Sequence, residues 1–199
     1  MRRRAALILP LLGAACAGEE RPPSPEPGPI GYGYLTPLPL NVARIVIAPE
    51  APPPAPGDLG ATLPVPPAEA VRTMGRDRLS AVGMQGEAVF TVAQASLRPT
   101  ADGLLCQVGC RLEILGEGGR RLGFIEAEAR AAVAGPEASR AGAADRLLRR
   151  AMDQLNVEFE YQLKRNLRDW LVAVPPGATG VPAPPPAGVR EEPLPAPPS

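Results

Sequence analysis

Not one of the 199 residues is a histidine, which excludes any triad, proton relay or metal centre built on imidazole. The chain also lacks an apolar run long enough to cross a bilayer. Ala5–Ala15 is an 11-residue run, whereas a spanning helix takes about 20 residues. Concentrated positive charge is missing too. The 21 basic residues balance 21 acidic ones and are interspersed with them, except for Arg149, Arg150, Lys164, Arg165 and Arg168 on one expected helix. That group reads as a solvated face, and nucleic acid is not an expected partner. No phosphate loop is visible, since Gly31-Tyr32-Gly33-Tyr34 is too short and no helix follows it. It reads as linker, with Tyr32 and Tyr34 available to a partner. Of the 28 prolines, only Pro99 and Pro136 fall between Gly83 and Val174. Proline is kept out of helix interiors and central strands, so regular structure is expected in that region, together with a strand near Val42–Ala48.

What is present begins at the amino terminus. Arg2, Arg3 and Arg4, the apolar run and the small residues before Cys16 have the layout of an export signal over residues 1–15. Leu12, Gly13 and Ala14, Ala15 ahead of Cys16 resemble a bacterial lipobox, with the leucine one place further back than usual. That resemblance implies diacylation of Cys16 and attachment to the membrane through the lipid. Ordinary cleavage after Ala17 is the competing reading, because Ala15 and Ala17 flank Cys16 in an A-x-A arrangement. Without the three arginines, 18 basic residues face 21 acidic ones, a net charge of −3. Residues 16–40 read as a proline-rich linker, semi-rigid at ~3.1 Å per residue in polyproline II. Residues 175–199 hold ten prolines and no aromatic residue, and read as a disordered, solvated tail.

Periodicity supplies the elements of a domain over residues 41–174. Leu104–Leu115 alternates strictly, with Leu104, Cys106, Val108, Cys110, Leu112 and Ile114 on one face. Glu117-Gly118-Gly119-Arg120 is turn composition, and Gly123–Val133 alternates again, so these runs predict a hairpin. Glu87–Leu97 is a preceding strand whose apolar phase changes from Ala88, Phe90 and Val92 to Ala93, Ala95 and Leu97. A bulge between them reconciles the two phases. Asn41–Ala48 is a short strand ended by Pro49, and 49–66 is a proline-rich insertion. Pro67 opens a helix expected to close at Gly83, with Val71, Met74, Gly75, Leu79 and Val82 as its buried stripe. A second helix starts between Pro136 and Ala143 and runs to about Val174. Leu148, Met152, Leu155, Phe159, Leu163, Leu167 and Trp170 form its apolar face, and Arg149 with Asp153 and Glu160 with Lys164 sit one turn apart on its wet side. The order βαβββα predicts an α/β (α+β) two-layer sandwich: a four-stranded, mainly antiparallel sheet with two helices on one face.

Little chemistry is visible in these elements. Cys106 and Cys110 lie four residues apart along one strand, so their Cα atoms are ~13 Å apart, too far for a disulfide. They are expected as buried thiols, with no disulfide and no metal. Glu126 and Glu128 alternate with alanines on the solvent side, and Glu19 and Glu20 lie in the leader, so neither pair reads as an acid/base couple. No catalytic residue and no cofactor is assigned, and the chain is not expected to be an enzyme.

Signal and element order resemble the LPS-assembly lipoprotein family of Gram-negative envelopes, in which a lipidated cysteine precedes a βαβββα domain that assists an outer-membrane partner. The stretches Pro37–Ile45 and Arg76-Asp77-Arg78-Leu79 are similar to uncharacterised small bacterial lipoproteins. These resemblances imply a non-catalytic envelope lipoprotein, anchored to the outer membrane and facing the periplasm, that scaffolds or binds another envelope protein. Its expected contact surfaces are the proline-rich segments and the solvent-facing sheet residues Arg111, Glu113, Glu126, Glu128 and Arg130. The alternative is a secreted or periplasmic small-ligand-binding domain or enzyme with a pocket between helices and sheet.

Overall fold

The computed structural model of the chain describes residues 28–173. The expected signal over 1–15, Cys16, the first part of the expected linker and the expected tail over 175–199 lie outside the described residues. The element order is β1 (Leu38–Leu40), β2 (Arg44–Ile47), α1 (Pro67–Arg78), β3 (Leu79–Ala81), β4 (Glu87–Pro99), β5 (Gly103–Leu115), β6 (Arg121–Ala134) and α2 (Ala143–Asn166). Four strands form a mixed sheet in the order β2-β4-β5-β6, in which β2 runs parallel to β4 and the other pairs are antiparallel. Both helices pack on one face of this sheet, α1 chiefly over β4 and α2 over β5 and β6. The fold is a mixed α+β sandwich.

The alternation in β4, β5 and β6 has a direct physical reading. Ala88, Phe90 and Val92 of β4, the even-numbered residues Cys106 to Ile114 of β5, and Ile125, Ala127 and Ala131 of β6 are all buried toward the helices. The expected bulge is present, because the register shifts between Val92 and Gln94 and leaves Ala93 without a ladder partner. That extra residue moves Leu97 back into the core. From α2, Leu148, Met152, Leu155, Phe159 and Leu163 close the sandwich with no exposed surface. The Phe159 ring meets that of Phe90 edge-on at 5.7 Å between centroids, the favoured aromatic geometry. α1 contributes Val71 and Met74, both fully buried. Gly75 lets the helix lie on Phe90: a β-carbon at this position would come within 2.8 Å of the ring.

Three boundaries differ from the sequence reading. α1 stops at Arg78 rather than Gly83, because Leu79 turns extended and Leu79–Ala81 pairs in parallel with Leu38–Leu40 as a second, two-stranded sheet. Val82 is consequently exposed and does not belong to the helix's buried stripe. α2 stops at Asn166 rather than near 174. A short 3-10 turn, Arg168–Trp170, follows it, and Leu171 bridges antiparallel to Leu40. The Asn41 N–H donates to the Trp170 carbonyl at 2.8 Å and the Val172 N–H to the Pro39 carbonyl at 3.0 Å. Finally, the expected linker 16–40 is folded in its last part, where Tyr32, Leu38 and Leu40 are buried core residues. The Tyr32 N–H donates to Asp77 Oδ2 at 2.7 Å, which ties this segment to α1.

The proline-rich insertion is also held in place. Asp58 accepts hydrogen bonds from the N–H groups of Gly60, at 2.6 Å, and Leu97, at 3.3 Å. The Leu59 N–H donates to the Leu97 carbonyl at 2.7 Å. Leu59, Leu63 and Val65 cover the rim of the core from this insertion.

Candidate functional site

A cleft of about 710 Å³ opens at one end of the sheet. Three connections build it: Asn41 before β2, the turn 82–86 between β3 and β4, and Gly116, Glu117, Arg120 and Leu122 around the β5–β6 hairpin, with Trp170 closing one side. Glycine is required where these backbones crowd. A β-carbon on Gly83 would come within 2.5 Å of the Asn41 backbone, and Gly86 adopts a φ of 77°, open to glycine without strain. The turn is fastened to β2 by the Ala43 N–H, which donates to the Gln85 carbonyl at 3.1 Å. The hairpin closes through the Gly116 N–H to the Arg120 carbonyl at 2.9 Å.

The lining is mixed: Val82, Met84, Leu122 and Trp170 are apolar, Asn41 and Gln85 polar, and Glu117 and Arg120 carry opposite charges. Met84 is 91% exposed, and Val82, Leu122 and the neighbouring Phe124 are each at least two-fifths exposed. Phe124 also carries the Arg121 guanidinium 4.9 Å from its ring centre, a cation–π contact. A rim of this kind can hold an apolar or amphipathic segment of a partner, with Glu117 and Arg120 to orient it. Its lining offers no nucleophile paired with a base, and among the described residues no three cysteine, aspartate or glutamate side chains gather as metal ligands.

The structure scatters the residues singled out in the sequence. Cys106 and Cys110 are free, buried thiols inside the sandwich. Burial pushes the Cys106 thiol up to about 12, with the charge of Asp58 adding to the effect. Burial also raises that of Cys110, against a smaller opposing hydrogen bond involving the Ala127 backbone. Neither is a thiolate at neutral pH. Arg111, Glu113, Glu126, Glu128 and Arg130 do share the solvent-facing side of the sheet. There Arg111 Nε donates to Glu126 at 2.8 Å and Arg121 reaches Glu113 at 3.1 Å. On α2, Glu160 pairs with Lys164, and Arg149 Nε donates to Asp145 at 2.8 Å. Tyr34 is exposed, while Tyr32 is buried and unavailable for docking. Burial, with the charge of Asp153 second, raises its hydroxyl well above the usual tyrosine range.

Between helices and sheet, where the ligand-binding alternative places its pocket, Phe90, Phe159, Met74, Leu155 and Leu112 are fully buried. Two polar residues were missed in the sequence. Arg78 is buried and joins three segments, donating to the Thr36 carbonyl and pairing with Glu160 of α2. Asp58 fastens the insertion to β4. Neither stands out in the sequence: Arg78 follows Arg76 and Asp77, and Asp58 lies between Gly57 and Leu59 in a proline-rich stretch.

The sequence matches no protein-family model and no curated protein. Among solved structures, a minor lipoprotein from Acinetobacter baumannii is similar at 18% identity over 68% of this chain and 99% of that one, with a TM-score of 0.36. A lipoprotein from Neisseria meningitidis is similar at 13% identity over 56% of this chain and 96% of that one, with a TM-score of 0.28. Neither is named as an LPS-assembly protein, and likeness at this level carries no functional argument.

Proposed function

We propose that the chain is a non-catalytic envelope lipoprotein, held on the outer membrane by a diacylated Cys16 and facing the periplasm, whose domain binds another envelope protein. The observation that carries the reading is Cys16 itself, placed directly after an export-type apolar run and directly before a proline-rich spacer. Two or three acyl chains on one residue give stable anchoring where one gives only marginal attachment. The apolar rim around Met84 supports the partner-binding half, since contiguous exposed apolar groups on a small domain mark contact surfaces.

Mass spectrometry of the mature amino terminus tests the anchor. The reading expects a chain starting at a diacylated Cys16, which Cys16→Ala releases from the membrane fraction. A chain starting at Gly18 refutes it. A photo-crosslinking residue at position 84 tests the partner, and the expected product is one stoichiometric envelope protein. A co-purified small molecule in place of that product favours a ligand-binding role.

A further inference from the structure

The outer edge of β6 is a long strand edge with no partner among the described residues. β6 has 14 residues and stands last in the sheet order. The Gly135 N–H donates to the Asp102 carbonyl at 2.8 Å, one step beyond the ladder pair Gly103 and Ala134. This fixes the parity: odd-numbered residues of β6 bond to β5, and the even-numbered residues from Phe124 to Ala134 aim their N–H and C=O groups outward. Such edges are normally protected by proline, lysine, a bulge or an inward-pointing charge. Between Phe124 and Ala134 there is no proline, no lysine and no register shift, and the residues facing the helices there are uncharged.

Charge supplies a second, independent observation. On the solvent-facing side of β5 and β6, Arg111 is paired with Glu126 and Glu113 with Arg121. Glu128 and Arg130 alone among the charged residues of these two strands have no ion pair among the described residues. They sit two apart on the edge strand itself, both exposed.

We propose that the chain forms a two-fold symmetric dimer in which β6 pairs antiparallel with β6 of a second copy, with Ala129 on the axis. In this register Glu128 faces Arg130 of the other copy, and Arg130 faces its Glu128, so each of these charges gains one partner and the dimer gains two ion pairs. Centring the axis on Ala127, Glu128 or Arg130 instead sets like charges opposite one another, which is unfavourable. The pairing adds about a dozen backbone hydrogen bonds and makes one continuous eight-stranded sheet. A single patch meeting its own copy gives closed symmetry, not a filament. The chain's own tail is a poor competitor for this edge, since ten prolines in residues 175–199 interrupt the run of N–H donors a strand must supply.

The test uses the full chain in detergent, followed by light scattering and by oxidative cross-linking. A dimer is expected. Glu128→Arg and Arg130→Glu each turn two attractive contacts into repulsive ones and loosen it by about tenfold, while the double swap E128R/R130E regains it. Ala129→Cys is expected to form a disulfide between copies. Residues facing each other at a non-hydrogen-bonded antiparallel position have Cα atoms about 4.5 Å apart, within reach of an S–S bond. Glu128→Cys is not expected to do so. A full chain that stays monomeric at every soluble concentration overturns the proposal, as does a double swap that remains dissociated or cross-linking at position 128 in place of 129.

Discussion

Replacing Arg78 by methionine tests the side chain that pairs α1 with α2 through Glu160 and holds the amino-terminal segment through Thr36. The arginine side chain is only 3% exposed; it donates to the Thr36 carbonyl and to Glu160, and its Nε has no partner among the described residues. A charge-assisted hydrogen bond contributes ~1.5–3 kcal/mol and a carbonyl bond about 1 kcal/mol. Stripping one member from a fully buried pair costs about 3–5 kcal/mol. Glu160, however, is 32% exposed and keeps Lys164, so its charge is not stranded. Methionine also preserves packing along the stem and removes the unsatisfied Nε. The expected loss is therefore about 2 kcal/mol, or roughly 4–8 °C in Tm for a domain of this size.

Urea unfolding of R78M, E160Q and the double variant is expected to give a coupling of about 1.5 kcal/mol. Acidity supplies a second check. Glu160 is held below its ordinary carboxyl value, chiefly by its hydrogen bond from Lys164 and further by the charges of Lys164 and Arg78, with partial burial opposing. A carboxylate depressed in the folded state contributes stability that is present above the ordinary carboxyl range and lost as pH falls through the depressed value. The gap between wild type and R78M is thus expected to narrow in acid. A coupling near zero at neutral pH, or a gap unchanged in acid, refutes the reasoning.

Gly75→Ala adds a β-carbon 2.8 Å from the Phe90 ring; overpacking of about 1–3 kcal/mol is expected to outweigh alanine's helix preference of about 1 kcal/mol, lowering Tm in a thermal melt. Cys106 and Cys110 are expected to resist alkylation in the native protein between pH 7 and 9 and to react promptly after unfolding in urea, whereas rapid native labelling would contradict their burial. Met84→Asp is expected to leave the stability in urea within about 0.5 kcal/mol of wild type and to reduce capture of the partner proposed above; undiminished capture moves the proposed contact surface elsewhere.

Local pattern made some elements legible and long-range pairing hid others. β5 and β6 could be read because their alternation reports a sheet with one buried face, and the phase change around Ala93 reported the bulge. α2 was legible from Leu148 to Leu163 because that stripe packs against the sheet without interruption. Its end was not legible: Leu167 and Trp170 continue the helical spacing, yet Leu171 leaves to bridge Leu40, about 130 residues earlier in the chain. The same mechanism ends α1, where Leu79 prefers a partner in the proline-flanked segment Leu38–Leu40 that resembles linker by composition. The cleft was invisible for a related reason, since its three walls come from turns distant in sequence, and turns carry no period.

The bridge between Leu40 and Leu171, with the Asn41 and Val172 bonds on either side, has a consequence for synthesis. The first strand of the domain waits for almost the last described residues before its backbone is fully paired. A nascent chain with its amino terminus already outside the ribosome therefore remains unfinished until residue 172 has emerged.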